Sequence, residues 1–347
     1  MILFLLGFLT ITKAQSLDEV IRFIKDNPTK SSVYLIENGV TTINYNGNQP
    51  MPLASAAKTI IAIEFAKQAA AKKFLPNTKI AVKELSKYYI VNTDGGAQSN
   101  WLKSIDKRQG DSVTLLAVAK GMIKFSSNAS TEFLQDFLGL KQINKNLELL
   151  GLKEHDPLYY FTAAALMTCL KPNNRNEQDW ITELKAMPAA VYYKKCEEAH
   201  LKLKTDTSFV KSFNFSNLSF SIQKIWSDKL VKATTSNYAN LMQKISSKTY
   251  LDPTAQLILE SILEWPMEYA GNKVQFDHLG QKGSSTAFVL TDAFYMSQKN
   301  GDNLACAFFF NDLSTVEGAL VNKNFGKFEA NMITNQAFRN KLAEALK

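Results

Sequence analysis

A serine three residues ahead of a lysine is a pair that can act together, because residues three apart on a helix are neighbours. The chain holds four such pairs: Ser55/Lys58, Ser104/Lys107, Ser208/Lys211 and Ser221/Lys224. Only the first opens a stretch that is apolar on nearly every side, with Ile60, Ile61, Ile63, Phe65 and Ala66 behind it. Burial there disfavours an ammonium, lowers the lysine pKa and makes the amine a proton acceptor for the hydroxyl beside it. The free N–H groups and positive dipole end at a helix start would stabilise a developing oxyanion. Read alone, the same residues also fit a capping serine and a lysine reaching out to solvent.

Two further stretches carry suitable groups. In "IKFSSNASTEF", Ser126 and Asn128 fall in a short link between two apolar segments, where a hydroxyl can relay a proton and an amide can hold a substrate amide. In "HLGQKGSSTAF", Lys282 precedes Gly283, Ser284 and Ser285. A cation beside small residues on a strand lets a ligand backbone lie along the edge and take its hydrogen bonds. Each stretch alone is also an ordinary turn or hairpin.

The elements needed to position these groups can be read from periodicity. Residues 17–27 have helical spacing with Ser16 as cap, and "SSVYLIENGVTTINYNGN" reads as two strands turning at Asn38-Gly39. Helices are expected over 111–125 with Ser112 as cap and over 130–140 with Gly139 as stop, and Pro76-Asn77 should close the segment that Ser55 opens. Near the end the period becomes extended in three successive segments, followed by one helix over 330–347. The fold class is α+β. An antiparallel five-stranded sheet, built from 15–54 and 265–347, is flanked by helices in three layers, and an all-helical domain, 55–264, is inserted. The polar, lysine-rich segment 171–250 is an addition to that domain.

Composition bounds the function. The chain has 347 residues, 46% apolar and 21% charged, with a formal charge of +8 from scattered lysines. No basic block with interleaved aromatics indicates a nucleic-acid partner. The start, "MILFLLGFLTITKAQS", reads as an export signal cleaved after Ala14, which places the protein in the periplasm or outside the cell with no stable membrane insertion afterwards. Cys169, Cys196 and Cys306 have neither metal-ligand nor paired spacing, and His155, His200 and His278 sit in no recognisable catalytic setting. No cofactor or metal is expected, and the protein is read as a monomer. "NTDGGAQSNWL" is a turn at Asp94-Gly95-Gly96 followed by Trp101, which either lines a cleft or packs inside.

Taken together, Ser55-Ala56-Ala57-Lys58, Ser126-Ser127-Asn128 and Lys282-Gly283-Ser284 resemble the S-x-x-K, S-D-N and K-T-G motifs of the penicillin-recognising serine hydrolases, most closely the class A β-lactamase-like members. The resemblance spans about 20–170 and 265–347. It implies Ser55 as nucleophile, Lys58 as proton acceptor and Ser126 as donor to the leaving nitrogen. It also implies Asn128 for the substrate side-chain amide, Lys282 with Ser284 or Ser285 for the carboxylate, and the N–H groups of Ser55 and Ser285 as oxyanion hole. The sequence departs from the family at Ser127 and at Gly283-Ser284. It also lacks an E-x-x-L-N segment between 140 and 170, and Glu154 is the carboxylate nearest in sequence. The implied function is an exported hydrolase forming an acyl-enzyme with a β-lactam or related cyclic amide. Alternatives are a D-alanyl-D-alanine peptidase, a penicillin-binding protein or esterase with slow deacylation, and a non-catalytic binding protein that keeps the cleft.

Overall fold

The computed structural model describes residues 17–91, 93–105, 111–172, 174–206, 208–209 and 219–347. The expected export segment 1–14, the Ser16 cap, and Lys107 and Lys211 of two serine–lysine pairs lie outside the described residues. Among those described, no helix is long and apolar enough to cross a membrane.

Five strands form the main sheet: β1 (Ser31–Glu37), β2 (Val40–Tyr45), β3 (Phe276–Ser285), β4 (Leu290–Gln298) and β5 (Asn303–Phe310). Their order is β2-β1-β5-β4-β3, every pair antiparallel. The two ends of the chain therefore meet mid-sheet, where Val33 stands opposite Phe308. The first hairpin turns at Asn38 and Gly39, with φ of 50° and 83°, the left-handed pair that Asn-Gly adopts readily.

Alternation lets one sheet serve two cores. Along β5, Ala305, Ala307 and Phe309 pack toward the helical part of the chain, while Leu304, Cys306, Phe308 and Phe310 face the other way. That second side is closed by helix 17–26 and by helices Thr315–Thr334 and Gln336–Ala345, which gives the three layers. The expected single terminal helix is in fact two, broken at extended Asn335, whose side chain accepts the Phe338 N–H. The first of them starts well before residue 330, at a Ser314/Glu317 capping box.

On the other side the segment of the first serine–lysine pair forms a 3₁₀ turn, Ala54–Ala57, then helix Lys58–Ala70. Ile60, Ile61, Ile63 and Phe65 are fully buried, each contributing roughly 1.5–3 kcal/mol. The helix ends before Pro76, where Lys72 turns left-handed. Helix Leu115–Lys124 begins two residues later than Ser112 implies. Residues Ser112–Thr114 pair instead with Lys79–Ala81, and Thr114 takes the cap, accepting the Ala117 N–H at 3.1 Å. Helix Asn128–Leu138 stops at Gly139, φ 84°, as its sequence requires.

The described parts of 171–250 include a short strand, Lys232–Ala233, paired with Met51–Pro52, and helices Glu177–Ala186, Ala189–Thr205, Phe220–Asp228 and Thr235–Ser246. The last lies on the sheet, with Tyr238 against Phe309. Ala189–Thr205 is fastened to Asn128–Leu138 through His200, whose ring nitrogens meet Glu132 Oε1 at 2.8 Å and Asp136 Oδ1 at 3.3 Å. Tyr160 stacks on the imidazole at 3.6 Å. Burial works against the charged ring, but the two carboxylates outweigh it and raise its pKa to about 9. Because the folded value lies above the unfolded one, this stabilisation is complete below about pH 6.5 and is lost as pH rises through about 9. Urea unfolding should therefore lose up to about 3 kcal/mol between pH 6.5 and 9.5. His200→Phe should flatten that slope; a slope unchanged in the variant would show the clasp is not its source.

Candidate active site

Each motif arrives on its own element, and the three meet at one place. Ser55 sits in the 3₁₀ turn, held by Ala54 in the left-handed region, φ 45°. Ser126 occupies the link before helix Asn128–Leu138 and is itself left-handed, φ 64°, a conformation costly for a residue with a Cβ and common where a site imposes it. Ser127 caps that helix, accepting the Ser130 N–H at 3.0 Å and donating to Gln98 Oε1, so the residue in the place of the family's aspartate ties the loop together. Period-2 alternation on β3 turns Gln281 toward Glu329 of the terminal helix and Lys282 and Ser284 toward the other motifs. Gly283 is small because a Cβ there would stand 3.1 Å from Asp292 Oδ1 on the neighbouring strand.

Lys58 is completely buried, and its Nζ donates to Ser126 O at 2.7 Å and Asn128 Oδ1 at 2.9 Å. No hydrogen bond joins it to Ser55 Oγ among the described residues. The direct contact expected from helical spacing is absent because Ser55 lies in the 3₁₀ turn and both acceptors draw the amine toward the second motif. A neutral amine has two N–H bonds and one lone pair. These two acceptors satisfy both donors of the uncharged form and leave the pair free for a proton. Desolvation and then the nearby Lys282 charge hold its pKa well below that of an ordinary lysine. Lys282 is nearly as deeply buried; burial brings it to about 8, with Asp292 pulling the other way. Its Nζ donates to Ser126 Oγ and Gly283 O. Ser126 thus bridges the two lysines, one through its carbonyl and one through its hydroxyl.

Above these groups lies a cleft of about 720 Å³. Ser55, Ser126, Asn128, Gly283, Ser284 and Ser285 line it, while Lys58 and Lys282 sit behind the lining. Lys282 therefore meets Ser126 and the β3 backbone rather than standing open for a carboxylate. Ser284 Oγ accepts the Ser55 N–H at 2.7 Å, an engagement that the carboxylate role does not anticipate. Thr93, Asp94 and Gly95 contribute to the wall. Trp101 does not: it is buried against Gly121, where a Cβ would come within 2.5 Å of its ring. Glu154 is exposed and lies outside the cleft. The lining also includes the aromatic residues Tyr159, Phe161, Trp226 and Phe325. Trp226 comes from the lysine-rich segment and Phe325 from the terminal helices, and no local motif marks either.

Several solved structures share this architecture. A PBP-A mutant described as an acyl-enzyme complex with penicillin-G is 16% identical with a TM-score of 0.52, over 92% of this chain and 97% of that one. A β-lactamase from Chitinophaga pinensis is 14% identical with a TM-score of 0.54, over 90% and 98%. A representative of class A β-lactamase from Bacteroides cellulosilyticus is 15% identical with a TM-score of 0.54, over 96% and 98%. At such identities the likeness speaks for the fold. Comparison with curated proteins finds no match. The family itself is shown by sequence, since a profile described as the beta-lactamase enzyme family matches residues 13–267, most of the chain. With that match, and with the five-stranded sheet and its helical insertion in place, the chain belongs to the beta-lactamase enzyme family.

Proposed function

We propose that the protein is a penicillin-recognising serine hydrolase that acylates through Ser55 and deacylates slowly, so that it behaves as a penicillin-binding protein more than as a fast β-lactamase. In the acylation step Ser55 Oγ forms a bond to the β-lactam carbonyl carbon and its proton passes to the Lys58 amine. The carbon–nitrogen bond then breaks, and the departing nitrogen takes a proton through the Ser126 hydroxyl, leaving an ester on Ser55. General bases commonly close on their proton only in the substrate complex, so the absent Ser55–Lys58 hydrogen bond is compatible with this role.

One observation favours slow turnover. Asp94 is the one carboxylate among the cleft-lining residues described, and its oxygens already accept the N–H groups of Gly96 and Gln98 at 3.2 and 3.0 Å. Both oxygens are thus engaged in holding the turn that leads into helix Ala97–Ser104, which supports slow turnover. Intact-protein mass spectrometry after a penicillin G pulse tests the reading. The expected result is one adduct of the full penicillin mass that outlasts removal of the drug. An adduct lost as soon as the drug is gone would instead mean efficient hydrolysis, and no adduct at all would remove β-lactams from the substrate class.

A further inference from the structure

The Ser55 N–H is the group that acyl transfer at this serine uses to hold the developing oxyanion. Here it is already occupied. Ser284 lies on the same face of β3 as Lys282, two residues on, and that alternation carries its hydroxyl to 2.7 Å from the Ser55 nitrogen. Ser284 Oγ makes no other side-chain hydrogen bond among the described residues, so nothing else holds it there. Ala54, left-handed at φ 45°, fixes the turn from which the N–H projects.

We infer that the Ser284 hydroxyl is an internal occupant of the anion site, which the substrate carbonyl must displace before Ser55 can attack. This rests on the function proposed above and adds to it a residue that controls entry to the anion site. A neutral hydroxyl is a weaker acceptor than an oxyanion, so exchange is favourable once charge develops. The ground-state carbonyl, by contrast, competes with Ser284 on nearly equal terms. The hydroxyl thus acts as a brake on acylation.

Two measurements on Ser284→Ala test this. The second-order rate of acylation by a fluorescent penicillin should rise about 3- to 10-fold, the weight of one neutral hydrogen bond. Hydrogen exchange of the Ser55 amide, followed by NMR in the protein without substrate, should quicken by about the same factor as the bond is lost. An acylation rate that falls or stays level would overturn the inference, the former by making Ser284 a substrate-binding group. Unchanged amide exchange would overturn it independently, since the site would then be open in solution. Should the wild-type chain take no penicillin, the proposed function fails, while the amide measurement still decides whether the site is occupied.

Discussion

Ser55→Ala is expected to remove covalent penicillin labelling entirely, and Ser104→Ala to leave it at the wild-type level. Both serines precede a lysine by three residues, so the pair of variants separates motif from placement. Ser104 ends a helix, and its hydroxyl donates to Trp101 O at 2.6 Å, outside the cleft. Ser221 is exposed, and its Lys224 is engaged by Asp228 and Asp312 at 2.5 and 3.0 Å. Among the described residues, only Ser55 combines a position in the cleft with a buried amine one turn on and a hydroxyl that makes no hydrogen bond within the protein. With no oxygen left to form the ester, whatever hydrolysis the wild type has should fall by on the order of 10⁴–10⁶-fold. The Ser55 hydroxyl supports nothing else, so removing it should change unfolding free energy by less than about 1 kcal/mol. Gel fluorescence and urea unfolding on the same preparations check both halves. Labelling of Ser55→Ala, or its loss from Ser104→Ala, sinks the assignment.

How much of this could be read from the chain depended on which interactions were local. The Ser55/Lys58 pair stood out because an amine inside an apolar helix is costly unless something uses it, and Lys58 proves completely buried. The sheet was legible because alternation in 276–310 and the Asn38-Gly39 turn are short-range signals. Elsewhere the sequence singled out residues without showing the contacts they make. Strand period assigns Ser284 to the face of Lys282, but nothing in it shows that the hydroxyl will meet the Ser55 N–H, 229 positions away. The helix cap shifted from Ser112 to Thr114 because a distant strand at Lys79–Ala81 captured the intervening residues. Glu154 was nearest along the chain but does not line the cleft. Glu132, unremarkable in sequence, is fully buried, accepts the Thr162 N–H at 2.9 Å and anchors His200 from 68 positions away. The wall from Trp226 and Phe325 likewise exists only once helices from separate parts of the chain pack together.

Lys58→Met is the second decisive change, with acylation expected to fall about 10²–10⁴-fold, the usual contribution of a positioned proton acceptor. Methionine keeps length and burial while removing the lone pair, so the loss reads chemistry more than packing. The fold should survive. The buried amine no longer has to be desolvated, a gain that offsets the roughly 1–3 kcal/mol lost where Ser126 O and Asn128 Oδ1 forfeit their donor. The pH profile supplies the sharper test. In the wild type, rate should rise on the acid side as Lys58 becomes neutral, since desolvation and the Lys282 charge both favour the free amine. It falls again near pH 8, where Lys282 loses the charge that attracts an anionic substrate and holds the Ser126 hydroxyl. In Lys58→Met the acid limb should vanish while the alkaline limb stays, because only one of the two titrating amines has been removed. If stopped-flow acylation of the variant keeps its acid limb, the proton from Ser55 goes elsewhere, and the two lysines behind the cleft are positioning groups only.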